Sequence, residues 1–268
     1  MEKRIPNKFL YFANQHQLLH YFGLTIVFTS FNDKILKTIE ELFGDFLLIT
    51  NFGTRSSKGY GSFSLDSFQI NDVFKKYFKK VFKLKARVNN LNWEETVDRF
   101  HKRMKAGINY NGYEKSLLFE YMCNNGIRWE KRRIKQAFPS LSSGKPPIDC
   151  DGEFRYVRSM LGLAEINEYN KGNDTVRIQH RPKGHTPEER KNKKIDRFQT
   201  PILYKVINQA VYLLPDDSYK KIMGESFNFS YNSKDFNIDT PSGKEFDLLK
   251  FLEFIEKKRL IEEVKEAC

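Results

Sequence analysis

One segment of the sequence combines residue types that could bind a phosphate chain. Gly53, Gly59 and Gly61 stand within nine residues of one another, with Arg55 and Lys58 between them. Glycine allows positive φ and lets the backbone approach a ligand closely. Successive backbone N–H groups in such a turn can form an anion-binding concavity, to which the two cations add charge and hydrogen-bond donors. The pattern indicates either a phosphate cradle or a glycine-rich turn that leads into a strand.

Two common nucleotide-binding patterns do not fit this segment. Gly59-x-Gly61 is shorter than the G-x-G-x-x-G fingerprint, and no strand–fingerprint–helix unit surrounds it. The sequence also lacks the GxxxxGK[ST] pattern of a P-loop. A dinucleotide site and an NTP-binding P-loop are therefore disfavoured.

The elements around the loop follow from the pattern of apolar residues. Residues 24–29 are β-branched and aromatic, which predicts a buried strand. Ser30 and Asn32 can begin a helix, and apolar residues recur at helical spacing over 35–43. Residues 62–68 predict a second strand. Strand, helix, glycine loop and strand together make up half of a ferredoxin-like unit.

Two later segments complete an ordered set of motifs. Residues 157–163 read Val-Arg-Ser-Met-Leu-Gly-Leu, and residues 197–205 read Arg-Phe-Gln-Thr-Pro-Ile-Leu-Tyr-Lys. With the loop at 53–62, they resemble three motifs of the RAMP superfamily, the RNA-binding subunits of type III CRISPR effectors. These are the G-x-R-x-x-x-G-x-G loop, the turn with arginine before Leu-Gly-Leu, and the Arg-φ-x-Ser-Pro-φ strand, where φ is apolar. The set covers residues 53–205 and is most similar to the Cmr-type subunit near the 3′ end of the guide RNA.

This resemblance implies a fold and a function. The fold would be α+β, with a ferredoxin-like (RRM-like) antiparallel sheet, helices on one face and a helical insertion. The function would be an RNA-binding subunit of a type III CRISPR ribonucleoprotein in antiviral defence. Its partners would be guide RNA, target RNA or both, with other CRISPR effector subunits, and no cofactor. Two alternatives remain: a metal-independent endoribonuclease that processes CRISPR RNA, and a purely structural assembly subunit.

The predicted RNA contacts are glycines and cations of the three motifs and of a later basic loop. They are Gly53, Arg55, Lys58, Gly59, Gly61, Arg158, Arg181, Lys183, Arg197 and Lys205.

The domain prediction is a single RAMP-like domain over residues 1–268. Within it, residues 93–138 predict a helical insertion, because apolar residues recur at helical spacing. Residues 170–196 predict a mobile basic loop, because the segment is polar and interrupted by glycine and proline. Short strands are predicted to flank this loop, at 175–179 and 196–203.

Four further elements are predicted from periodicity. Residues 71–87 predict an amphipathic helix with a lysine-rich face, and residues 247–264 predict a terminal helix. Residues 202–206 and 209–214 predict an antiparallel strand pair. Residues 215–243 predict a turn-rich segment.

Composition favours a polyanionic partner. The formal net charge of the 268 residues is +12, with 24 Phe and 13 Tyr, a mixture that suits RNA as well as a core. Cys123, Cys150 and Cys268 form no zinc pattern, and their sparse number suits a reducing compartment. No apolar run is long enough to span a bilayer. A soluble protein in the cytoplasm is expected.

No residue pattern predicts catalysis or a metal site. His16 and His20 stand four residues apart, but no HExxH motif or nearby carboxylate accompanies them. The endoribonuclease alternative would need a general acid or base, for which His20, His180 and His185 are equal candidates. Binding is therefore favoured over cleavage.

Overall fold

The computed structural model describes most of the chain from residue 25 onwards. The described residues are 25–65, 70–85, 93–109, 112–141, 150–163, 166–169, 174–182, 188, 194–195, 197–208 and 210–264. The chain forms two compact units, Met1–Glu41 and Leu42–Cys268. In none of the described helices is there an apolar stretch long enough to cross a membrane.

The described elements are α-helices, β-strands and short 3-10 turns. The helices are α1 (Asp33–Ile49), α2 (Ile70–Tyr77), α3 (Trp93–Lys105), α4 (Leu117–Asn124), α5 (Glu130–Ala137) and α6 (Leu248–Lys257). The strands are β1 (Phe82–Leu84), β2 (Ile108–Asn109), β3 (Tyr113–Glu114), β4 (Ile127–Trp129), β5 (Glu153–Arg155), β6 (Ile166–Tyr169), β7 (Asp174–Arg181), β8 (Ile202–Ile207), β9 (Ala210–Pro215), β10 (Ser226–Tyr231), β11 (Lys234–Asp239) and β12 (Ile261–Glu263). The 3-10 turns are Pro139–Leu141, Val157–Leu161 and Asp217–Ile222.

In the first unit, the described residues begin with an irregular segment and not with the predicted strand. Residues 25–29 are exposed, and no described strand pairs with them. A β-branched run forms a strand only where a partner completes its hydrogen bonds, so this prediction was wrong. The helix start was correct, because the Asn32 side chain accepts a hydrogen bond from the Lys34 backbone N–H.

The second unit contains two four-stranded antiparallel sheets. Their strand orders are β12-β1-β9-β8 and β11-β10-β7-β6. Strands β2 and β3 form a small antiparallel pair, and β4 lies parallel to β5. The mixture of helices and antiparallel sheets confirms the predicted α+β class. The predicted pairing near the glycine loop is also confirmed, because β8 and β9 are antiparallel neighbours.

Helical elements cover the first sheet on both faces, whereas the sequence predicted helices on one face. Tyr204 and Leu213 pack in a core with α3, α4 and α6. Ile207 and Leu214, which point the other way along the same strands, pack against Leu48 of α1 and the second helix, α2. Strand β8 is therefore buried on both sides.

The second sheet has one buried and one open face. Along β7, buried residues alternate with more exposed ones, as a strand with one face on a core requires. Val176 and Phe229 pack there against Ile134 of α5. The sequence predicted only turns over 215–243, but β10 and β11 form a hairpin in this region. Asn232 and Ser233, both with positive φ, make the tight connection that periodicity alone did not reveal.

Two predicted helices end earlier than their amphipathic patterns suggested. The helix predicted over 71–87 ends at Tyr77, and β1 follows it. The helix predicted over 247–264 ends at Lys257, and β12 follows it. Strands β1 and β12 pair with each other, so ladder hydrogen bonds replace helical ones in both segments. Helical elements do occur across 93–138, although short strands interrupt them.

Candidate nucleic-acid interface

The glycine loop is attached to the edge of β8 by backbone and side-chain hydrogen bonds. The Asn51 Nδ2 donates to the carbonyls of Ser56 at 2.7 Å and Tyr204 at 2.8 Å. The Tyr204 backbone N–H donates to the Ser57 carbonyl at 3.1 Å. The predicted strand after the loop is absent at 62–65, and residues 66–68 lie outside the described ranges. The loop is thus hydrogen-bonded to β8, the edge strand of the first sheet.

Two of its glycines are required by packing inside the protein. Gly59 has φ +92°, and a Cβ there would lie 2.9 Å from both the Trp93 ring and Val206 Cγ2. Gly61 has φ +67°, and a Cβ there would lie 2.0 Å from the Phe52 carbonyl oxygen. Both positions combine a left-handed backbone with a close approach that only glycine permits. Gly53, in contrast, has open space around its Cα.

Lys205 stabilises the loop from inside the protein. Its buried ammonium donates to the carbonyls of Leu47 at 2.5 Å and Thr50 at 2.6 Å, and to Asn51 Oδ1 at 3.1 Å. These oxygens lie at the C-terminal end of α1, where backbone carbonyls lack helical partners and a cation is favourable. Burial lowers the pKa of Lys205 to about 7, while the three acceptors favour its charged form. We therefore assign it a positioning role and omit it from the RNA contacts proposed below.

Arg55 and Lys58 have different environments. Arg55 is exposed, adopts a left-handed backbone with φ 55°, and lies 5.9 Å from the centre of the Tyr60 ring. Lys58 is half-buried over α3, and burial is the main cause that lowers its pKa. Asp98 opposes this shift, whereas Lys102 and Arg55 add to it. The loop thus carries one exposed guanidinium and one ammonium that is already partly desolvated.

Lys105 extends this positive charge along α3. Its Nζ donates to the Gly162 carbonyl at 2.6 Å, directly after the turn Val157–Leu161. The pKa of Lys105 is lowered to about 8, first by burial and then by Arg158 and Lys58. Glu130 acts in the opposite direction. Lys105 was not predicted from the sequence, although its place on the basic end of α3 gave a weak signal.

Arg158 is oriented by a carboxylate that sequence reasoning did not single out. Glu130 is fully buried at the first residue of α5 and pairs with Arg158 Nε. Its oxygens also accept from Trp129 Nε1 at 2.5 Å and from the Val157 backbone N–H at 2.9 Å. Glu130 therefore fixes both the arginine and the turn that carries it. The available signal was a single acid within an otherwise basic stretch.

Two of the three motifs, the glycine loop and the turn Val157–Leu161, bring cations close to α3. Lys58 of the loop and Arg158 of the turn both depress the pKa of Lys105, so all three charges lie within electrostatic range. We refer to Arg55, Lys58, Lys102, Lys105 and Arg158 as the basic cluster. Its exposure decreases from Arg55 at the surface to Arg158, whose side chain is 18% exposed. Such a cluster can hold phosphate groups, since each would relieve the repulsion among the cations.

A buried histidine lies beside the basic cluster. His101 Nδ1 is 3.2 Å from the Tyr204 hydroxyl. Burial, Lys58 and Lys105, in that order, hold the pKa of His101 well below its usual range. The ring is therefore neutral at neutral pH and adds no charge to the cluster.

The remaining predicted contacts are not part of this arrangement. Arg181 is exposed at the end of β7 on the second sheet, opposite Ser226. Arg197 is exposed beside Phe198, whose carbonyl accepts from the Leu163 backbone N–H at 2.9 Å. Lys183 lies outside the described residues.

The histidines offer little support for the endoribonuclease alternative. His180 Nδ1 accepts from the Ile195 backbone N–H at 3.1 Å, and Nε2 lies 2.9 Å from Glu225 Oε2. Both nitrogens are occupied within the protein, so neither is directed at a substrate. His20 and His185 lie outside the described ranges. Among the residues that are described, no group of three or more His, Cys, Asp or Glu side chains is arranged to hold a metal ion.

Comparison with protein-family models identified two matches that cover nearly the whole chain. The Cmr1 N-terminal domain matches residues 1–108, and the Cmr1 C-terminal domain matches residues 113–267. Comparison with curated proteins and with solved structures gave no match. The chain therefore belongs to the Cmr1 family, which supplies a subunit to type III CRISPR effector complexes in defence.

Proposed function

We propose that this chain holds guide or target RNA within its effector complex, and that the basic cluster contacts the phosphates. The observation that carries the proposal is the convergence of Lys58, Lys105 and Arg158 from three separate segments, with pKa values of both lysines already depressed. Burial is the main cause of both shifts, and repulsion between the cations adds to it, so a bound polyanion would offset part of the cost of holding them charged. RAMP membership, binding without cleavage and a cytoplasmic location are parts of the same proposal.

The proposed contacts differ in character. Arg55 can present two parallel N–H donors to one phosphate, whereas each lysine acts as a compact point charge. The glycines shape the loop, with Gly59 and Gly61 seating it against α3 and the sheet. Arg181, Arg197 and Lys183 remain proposed secondary contacts, which would extend the path of the RNA beyond the cluster.

The test is the salt dependence of RNA binding by the full chain. If Arg55, Lys58 and Lys105 each neutralise one phosphate of a single strand, log K should fall with log[salt] with a slope of roughly −2. Replacing Lys58→Ala and Lys105→Ala together should reduce the magnitude of that slope by roughly 1.4. Fluorescence anisotropy of a labelled oligonucleotide over a salt series gives both values.

A matched control removes the same charge elsewhere. Lys234→Ala with Lys257→Ala takes two exposed cations from β11 and α6, and should leave the slope within about 0.3 of the unsubstituted chain. An equal effect of the two double variants would show that only net charge matters and would refute a localised site. Thermal unfolding of each variant excludes loss of the fold as the cause.

A further inference from the structure

A series of phenylalanine rings extends from the end of α1 to the base of the glycine loop. Successive ring centres lie 6.3 Å apart for Phe43 and Phe46, 5.7 Å for Phe46 and Phe52, and 5.9 Å for Phe52 and Phe63. Phe46, Phe52 and Phe63 are 43%, 40% and 38% exposed. We refer to these four residues as the aromatic row.

Simple core packing does not account for the aromatic row. Buried rings elsewhere in the chain, such as Phe74 and Phe251, are almost completely covered. A contiguous exposed apolar patch usually marks a ligand or partner site. The rings meet at angles of 72° and 57° around Phe52, so they are not stacked face to face on one another. Ring surface therefore remains accessible to a planar ligand.

The position of Phe52 connects the row to the basic cluster. The Phe52 backbone N–H donates to the Gly61 carbonyl at 3.1 Å, so this ring lies at the closed base of the loop that carries Arg55 and Lys58. The nearby carboxylate of Asp45 is engaged by Lys76 Nζ at 2.8 Å and by the Tyr77 hydroxyl at 2.9 Å. The nearby cations and the neutralised carboxylate both favour an anionic ligand over a basic peptide.

We propose that the aromatic row stacks successive unpaired bases of single-stranded RNA, whose phosphates lie on the basic cluster. This inference rests on the proposed function and specifies its ligand as single-stranded and base-bearing. Aromatic rings beside a cationic path are the arrangement by which proteins hold single strands without reading their sequence. A double helix could not bind in this way, because its bases are paired and already stack on one another.

The experiment compares two ligands of equal charge. One is an oligouridylate of roughly 12 nucleotides, and the other is an abasic oligomer of the same length and backbone. The full chain should bind the base-bearing strand roughly 5- to 150-fold more tightly, the range expected for a stacked base. Phe52→Leu with Phe63→Leu should remove most of that preference and leave binding of the abasic strand unchanged. Leucine keeps the site apolar but cannot stack a base as a ring does.

Two controls separate the possible outcomes. Phe254→Leu removes a half-buried ring from α6 and should leave the preference for bases intact. Arg55→Ala with Lys58→Ala should weaken binding of both strands alike. Thermal unfolding shows whether the double leucine variant keeps its fold. If the double leucine variant does not fold, the test becomes photocrosslinking of 5-iodouridine strands to the unsubstituted chain. Crosslinks at Phe46, Phe52 or Phe63 are then expected.

The results that would overturn the inference differ from those that would overturn the proposed function. Absence of binding to either strand would refute both. Equal binding of the two strands, with the expected salt dependence, would refute only base stacking. Loss of assembly with other effector subunits in the double leucine variant, without any change in base preference, would identify the row as a protein contact instead.

Discussion

At the scale of single residues, the chemistry of the basic cluster depends on burial. Lys105 donates to a backbone carbonyl, and burial with two neighbouring cations lowers its pKa to about 8. An ordinary lysine keeps its charge up to about pH 10.4. Lys105 is therefore poised to lose its proton under mildly alkaline conditions.

This difference predicts a pH dependence of RNA binding. The pKa of Lys105 in the free protein is about 8, below that of an ordinary lysine, so Lys105 is mostly charged at pH 7 and loses its charge as pH rises through about 8. RNA affinity should therefore fall by roughly tenfold between pH 7 and pH 9.5, near the low end expected for the loss of one charge-assisted contact. Anisotropy titrations at constant ionic strength measure it.

The control for this prediction is Lys105→Arg. A guanidinium remains protonated across the whole range, so the affinity of this variant should fall less with pH than that of the unsubstituted chain. Lys58 and Lys205, whose pKa values are also lowered by burial, account for any smaller decline that remains. A decline of the same size in the arginine variant would assign the titration to another group.

At the scale of elements, the loop depends on contacts made by glycine and by helix ends. Lys205 holds the last carbonyls of α1, Glu130 holds the turn Val157–Leu161, and Gly59 allows the loop to rest on α3. None of these residues needs to touch RNA to be essential for binding. They set the positions of Lys58 and Arg158, which are the proposed RNA contacts.

A pair of glycine substitutions tests the packing role. Gly59→Ala introduces a Cβ into the Trp93 ring and Val206 at φ +92°, and should lower the free energy of unfolding by roughly 2–4 kcal/mol. Gly53→Ala meets the same backbone strain at φ +79° in open space, and should cost only about 1–2 kcal/mol. Urea unfolding gives both values. Equal losses would mean that the close contacts at Gly59 relax freely.

At the scale of the whole molecule, the proposed RNA binding would depend on charge more than on sequence recognition. The net charge of +12 and the basic cluster would both attract phosphates, which are the same for every RNA. The described site offers stacking surfaces and cations, not a set of side chains arranged around base edges. Under the proposed function, the chain would therefore bind guide or target RNA with little regard to its sequence.

The corresponding prediction concerns sequence preference. Two single-stranded RNAs of identical length and composition, but shuffled order, should bind with affinities within about threefold of each other. Competition of one strand against the other at fixed salt measures the ratio. A preference of about tenfold or more would indicate hydrogen bonds to base edges.

Several features could be predicted from the sequence because they depend on local pattern or on total composition. The α+β class, the β8–β9 pair and the helix start at Asn32 follow from periodicity and capping. The order of three short motifs predicted a Cmr-type subunit of a type III CRISPR effector, which the Cmr1 domain matches support, and the basic character followed from residue counts. These properties require no knowledge of which distant residues meet.

Only the tertiary structure determined which cations act together and which are structural. Lys205 and Lys58 look alike in sequence, yet one is buried against carbonyls of α1 and the other lies in the basic cluster. Strands β1 and β12 are remote in sequence but pair with each other, so they form where the local pattern predicted the ends of two amphipathic helices. The physical reason is the same in each case: burial and long-range hydrogen bonds are set by partners that are remote in sequence, and no local pattern encodes them.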